Sequence, residues 1–104
     1  MVRHIVLWRL SESANGRGKA ENAAEIKRRL EALNGKIPGM LTLEVGFDFS
    51  RTPDSSDIVL YSEFESRAAL DAYQVHPLHE AVKPIVMAAR DERRLVDYTT
   101  TGPG

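Results

Sequence analysis

The chain contains no cysteine, which removes disulfides, thiolate nucleophiles and cysteine-ligated metals from consideration. No apolar run approaches the ~20 residues that a membrane-crossing helix requires. Met1 to Leu10 offers no small-residue cleavage site and reads as a strand, so no signal peptide is expected and the cytoplasm is the default location. An excess of one charge is also lacking: 14 Lys and Arg stand against 15 Asp and Glu, a formal net charge of -1. That balance favours neither a nucleic-acid partner nor an acidic membrane surface. Asn15-Gly16-Arg17-Gly18 is the one short glycine cluster in the first half, and it lacks the phosphate-loop pattern. Histidine is scarce, three in 104 residues, and His76 and His79 sit three positions apart.

What is present suits one domain, with 42% hydrophobic residues. Val2 to Leu10 reads as a strand whose centre, His4 to Trp8, is apolar on both alternating faces, as in a central strand. Val2, His4, Val6 and Trp8 share one of those faces. Ser11 to Gly18 reads as a polar loop. Lys19 to Asn34 is an amphipathic helix with Ala23, Ile26, Leu30 and Leu33 in one stripe. On its wet side Glu25 can pair with Arg29 and Lys27 with Glu31, and Asn34-Gly35 stops it. Met40 to Phe49 alternates, with Leu41, Leu43, Val45, Phe47 and Phe49 on one face, as in an edge strand. Asp57 to Phe64 is a second central strand, and Arg94 to Thr100 the last strand. Residues 1–100 form the domain and 101–104 a flexible tail.

The stretch Tyr73 to His79 organises the remainder. Ser66 caps a helix from Arg67 to about Gln74, with Leu70 and Tyr73 on one face. Pro77 pushes His76 out of the α region and starts a new helix, and Pro84 divides the downstream segment into a short turn and a second helix. His79 falls in a first turn, where the helix dipole disfavours the imidazolium. It would stay neutral and able to accept a proton.

The order β-α-β-β-α-β, with right-handed crossovers, predicts an α+β ferredoxin-like fold: a four-stranded antiparallel sheet with helices on one face. The other face is left uncovered. The five apolar residues of the second strand suggest an apolar sheet face that needs a partner. The simplest partner is a second copy, giving a homodimeric barrel.

These residues resemble a known family. His4-Ile5-Val6-Leu7-Trp8, Phe64-Glu65-Ser66, Ala72 to His79 and Val96-Asp97-Tyr98 are similar to the stress-responsive dimeric α/β-barrel (Dabb) family, over almost the whole chain. The resemblance implies a ferredoxin-like protomer and a homodimeric barrel. Most members have no assigned chemistry. The family includes a plant enzyme that closes a linear polyketide by an aldol-type condensation without metal or organic cofactor. Its base matches His79, its carbonyl-holding tyrosine matches Tyr73, and its first-strand histidine matches His4. A further histidine of that enzyme has no counterpart here: Ile58 stands at the aligned position, with Asp57 beside it.

The catalytic candidates are therefore His79 as base, Tyr73 as hydrogen-bond donor to an enolate oxygen, and His4 as orienting group. Trp8, Val6 and His76 are the substrate-binding candidates. Each has a plainer reading. His79 can be a capping or packed histidine, Tyr73 and Trp8 ordinary core, and His4 a satisfied core histidine. The ring of His76 is well explained as satisfying free backbone groups at the helix junction. A zinc site is disfavoured, because Pro77 places His76 and His79 across a break and no H-E-x-x-H pattern exists. Two functions remain: a cofactor-independent cyclase or lyase on a small polyketide-like carbonyl substrate, and a non-catalytic dimer that binds a small ligand or protects other proteins under stress. Monooxygenase and haem-binding readings rest on fold analogy alone.

Overall fold

A computed structural model of the chain describes residues 1–100; the expected tail, 101–104, lies outside the described residues. The strands are β1 (Val2–Leu10), β2 (Ser13–Ala14), β3 (Arg17–Gly18), β4 (Met40–Phe47), β5 (Ile58–Phe64) and β6 (Arg90–Thr99). The helices are α1 (Lys19–Glu31), α2 (Arg67–Gln74), α3 (Pro77–Glu80) and α4 (Lys83–Ala89). The main sheet runs β4-β5-β1-β6 with every neighbour antiparallel. That is the ferredoxin-like order, with β1 and β5 central as their composition implies.

On β1, Val2, His4, Val6, Trp8 and Leu10 are all buried. They face the helices together with Ile58, Leu60, Ser62 and Phe64 of β5, to which the register joins them. From α1, Ile26 and Leu30 pack onto this layer, and Val86 and Ala89 do so from α4. The opposite face carries Ile5, Leu7, Val59, Tyr61 and Val96 on three adjacent strands, and no helix covers it: Leu7 and Val96 are exposed.

Four local expectations are corrected. Leu41 does not share a face with Leu43 and Val45. Met40 pairs with Phe64 and Thr42 with Glu63, so Leu41 is an extra residue in a bulge and is 51% exposed. Leu43 and Val45 lie under the helix layer, so the uncovered apolar face comes from β1, β5 and β6, not from β4. The Ser11 to Gly18 loop contains a small hairpin, β2 with β3, turned at Asn15 and Gly16, whose φ values are 54° and 72°. Two successive positive φ angles are what a tight two-residue hairpin requires, and Asn-Gly supplies them. The first helix ends at Glu31 rather than Asn34, and the last strand begins four residues early, at Arg90.

The early end of α1 has a physical reason. The Asn34 side chain accepts from the Leu43 N–H at 2.9 Å and donates to the Leu43 carbonyl at 2.8 Å. Two residues on, Val45 is held likewise: its N–H donates to Glu31 at 3.0 Å and its carbonyl accepts from Lys27 Nζ at 2.6 Å. Lys27 and Glu31 are also paired with each other at 2.7 Å. Side chains from α1 and its C-terminal turn thus satisfy backbone groups along the outer edge of β4. The expected pair of Glu25 with Arg29 is present at 2.7 Å, and Arg28 joins it.

Candidate active site

The Ser66 hydroxyl starts α2 by accepting from the Ala69 N–H at 3.1 Å. One face of α2 buries Leu70 and Tyr73. The helix stops where Pro77 demands it: His76 is extended, with φ -66° and ψ 134°, and its Nδ1 accepts from the Leu78 N–H at 3.1 Å. His76 is the N-cap of α3. It does not line the cavity beside β1, and its ring serves the helix junction. Lys83 and Pro84 then open α4, as the second proline implies.

Between β1 and the α2–α4 segment lies a cavity of about 190 Å³. His4, Val6 and Trp8 of β1 line it from the sheet, and His79 and Lys83 line it from the helical side. Arg90 and Arg93, at the start of β6, complete the wall. His4 and His79, 75 positions apart in sequence, therefore meet at one hollow.

Tyr73 lies close to both but is not part of the wall. Its ring stacks on His79 with centroids 4.1 Å apart and planes 19° apart, and meets His4 edge-on at 6.1 Å. It is 0% exposed, and its hydroxyl has no hydrogen-bond partner. Burial pushes the phenol well above its usual range, so it stays protonated. Tyr73 stands behind the cavity wall and its hydroxyl is buried; the expected donation to a substrate oxygen requires that hydroxyl to reach the hollow.

His79 has a buried Nδ1 without a partner. Its pKa is lowered, first by burial and then by the nearby Lys83 charge, against smaller opposing pulls from the carbonyls of Gln74 and Tyr73. Helix α3 is only four residues long, so desolvation rather than a helix dipole keeps this imidazole neutral. A neutral imidazole in a partly dry site can accept a proton from carbon.

His4 is held differently from the expectation. Neither His79 nor Tyr73 is its partner; its Nδ1 meets Oδ1 of Asp97 on β6 at 2.5 Å. The imidazole side chain is 3% exposed and the carboxylate 36%. The register makes this contact, since His4 and Asp97 are directly opposed across β1 and β6. A carboxylate on Nδ1 favours the proton there, which in the neutral ring leaves Nε2 free to accept. Sequence reasoning quoted Asp97 within the closing family-like segment but gave it no role; its place in the final strand, opposite His4, was the further signal. Asp57, considered as a substitute for the absent histidine, lies elsewhere: its carboxylate accepts from the Leu10 N–H at 2.7 Å and pairs with Lys19 at 3.4 Å.

Among the described residues no group of His, Cys, Asp and Glu has the arrangement of a metal site, and no helix is long and apolar enough to cross a membrane. An uncharacterized protein of Streptomyces coelicolor, SCO4036, is 31% identical over 81 residues, 78% of this chain and 81% of that one. The crystal structure of a dimeric protein of unknown function with a ferredoxin-like fold, from Bacteroides fragilis, superposes with a TM-score of 0.81 and 33% identity. It covers 95% of both chains. An antibiotic biosynthesis monooxygenase superposes with a TM-score of 0.74 at 18% identity, over 98% of this chain and 100% of that one, which shows a shared fold alone. The Stress responsive A/B Barrel Domain matches residues 2–100, nearly the whole span that builds the sheet and its helical layer, and the chain belongs to that family.

Proposed function

We propose that the protein is a homodimer, closed through the uncovered sheet face, whose protomers catalyse cofactor-independent proton transfer on a small, polyketide-like carbonyl compound, the chemistry of a cyclase or lyase. His79 removes a proton from carbon next to a carbonyl. His4, fixed by Asp97, orients the substrate and relays the proton. Lys83 stands on the same wall, its charge shared with Glu80 at 2.6 Å. Tyr73 acts through His79, as a positioning residue. The observation that carries this reading is the single hollow shared by two differently held imidazoles. Val6 and Trp8 form its apolar floor.

The test is exchange of the acidic methylene protons of pentane-2,4-dione in deuterated buffer, followed by NMR. The native protein should accelerate exchange, and His79→Ala should lose that acceleration, on the order of 10²-fold or more, while remaining a dimer. Acceleration that survives intact in His79→Ala refutes the assignment. One observation favours a second reading, non-catalytic binding or a stress-protective role: the hollow is smaller than most ligand pockets, which run about 300–1,000 Å³. Saturable binding of the diketone with no exchange in the native protein would select it.

A further inference from the structure

We infer that the hollow takes a small carboxylate, and that Arg90, Arg93 and the indole N–H of Trp8 recognise the carboxylate group. This deepens the carbonyl reading above and rests on it for the far end of the ligand.

The first ground is charge. Lys83, Arg90 and Arg93 line the cavity, and no carboxylate does. Lys83 is already engaged, donating to Glu80 at 2.6 Å and to the Gln74 carbonyl at 2.7 Å. The two arginines are not matched in this way. Glu92, between them in sequence, pairs with Arg9 at 3.4 Å and Arg94 at 2.8 Å, and Asp97 is taken by His4. Among the described residues neither Arg90 nor Arg93 has a carboxylate within ion-pair distance. Two guanidinium groups therefore face a cavity that holds no counter-charge of its own.

The second ground is an orphaned donor. Trp8 is 5% exposed and lines the cavity, yet its Nε1 is buried with no hydrogen-bond partner. Buried donors are almost always satisfied, so an unsatisfied one in a cavity wall calls for an acceptor from outside. Trp8 and Arg93 are direct cross-strand partners of β1 and β6. Their Cβ atoms are then about 4.5–5.5 Å apart on the same sheet face, close enough for one anion to meet both.

Shape and polarity narrow the class. The remaining wall is largely apolar, with Val6, Leu60, Val82 and Val86. A volume of about 190 Å³ corresponds to roughly six waters at ~30 Å³ each. That admits a short acid with an apolar body. A planar monoanion matches the guanidinium fork and one N–H. The same two guanidinium groups also suit a phosphate, so inorganic phosphate is the competitor that tests the choice.

Levulinate and its methyl ester test the idea. Both carry the same ketone, and only the acid carries the charge. Trp8 is the single tryptophan of the chain, so intrinsic fluorescence reports binding, with ligand-observed NMR as a second readout. Levulinate should bind saturably in the millimolar range and the ester about tenfold more weakly, as expected for loss of charge-assisted hydrogen bonds. Arg90→Met and Arg93→Met should each bring the acid toward the ester. Arg93→Lys should restore only part of the difference, and Trp8→Phe, read by NMR, should weaken the acid selectively. Equal binding of acid and ester, equal competition by inorganic phosphate, absence of levulinate binding, or an unchanged acid-to-ester ratio in both methionine variants overturns the proposal. Charge discrimination without diketone exchange leaves the carboxylate site standing and ends the proton-transfer reading; exchange without charge discrimination does the reverse.

Discussion

Replacing Asp97 by alanine isolates what the β6 carboxylate does for His4. The substitution leaves a ring that is almost wholly buried with Nδ1 facing nothing, where a carboxylate had stood 2.5 Å away. An unsatisfied buried donor costs about 1–3 kcal/mol. Asp97 is 36% exposed, so water can reach part of the vacated space, which places the cost in the lower half, about 1–2 kcal/mol. At about 4–8 °C per kcal/mol for a domain of this size, Tm should fall by roughly 5–15 °C, measured at fixed protein concentration because the proposed dimer would also contribute. The imidazole can relieve the orphaned donor by moving its proton to Nε2. Nitrogen-15 NMR of the His4 ring should therefore report Nδ1–H in the native protein and Nε2–H in Asp97→Ala. Asp97→Asn keeps an acceptor without the charge and should lose about half as much stability. An Asp97→Ala protein with unaltered Tm and an unaltered His4 tautomer would refute the reasoning.

Three further outcomes are expected. Leu7→Glu puts a carboxylate at the middle of the uncovered sheet face and should convert the dimer to monomer, read by light scattering; a persistent dimer places the interface elsewhere. Gly39→Ala should destabilise by about 2–4 kcal/mol, because φ is +78° and the new methyl would fall 2.6 Å from Cβ of Ala69; denaturant midpoints check it. Arg28 and Arg29 hold Glu25 well below its ordinary 4.5, at about 2. Its folded pKa is depressed, so its contribution is complete above pH 4.5 and is lost as pH falls toward 2. Glu25→Gln should flatten the stability curve in that acid window and leave its shape near neutrality alone.

Much of the architecture is written in local pattern. The doubly apolar centres of β1 and β5 mark central strands, and Pro77 and Pro84 mark the helix breaks where they occur. Pattern fails where two equivalent residues compete for one place. Met40 and Leu41 are both apolar, so nothing local says which enters the core; pairing with β5 decides for Met40. The Asn15-Gly16 turn carried a hairpin signal of its own, obscured by the polar residues around it. At the site, His4 and His79 are legible as scarce imidazoles, whereas the hold of Asp97 on His4 spans 93 positions and exists only once β1 lies beside β6. Tyr73 shows the opposite limit. Its helix face is readable, but whether its hydroxyl opens into the hollow or is buried behind the wall depends on tertiary stacking.

The arrangement along β4 bears on how the protein avoids polymerising. An edge strand normally offers a row of free donors and acceptors that can template an incoming strand and propagate into fibres. Here the hydrogen-bonding groups of Leu43 and Val45 are occupied by Asn34, Glu31 and Lys27, so a stranger strand would have to displace three side chains to bond at those two residues. Growth sideways is discouraged at that margin, which suits the closed pair proposed above better than an open-ended stack.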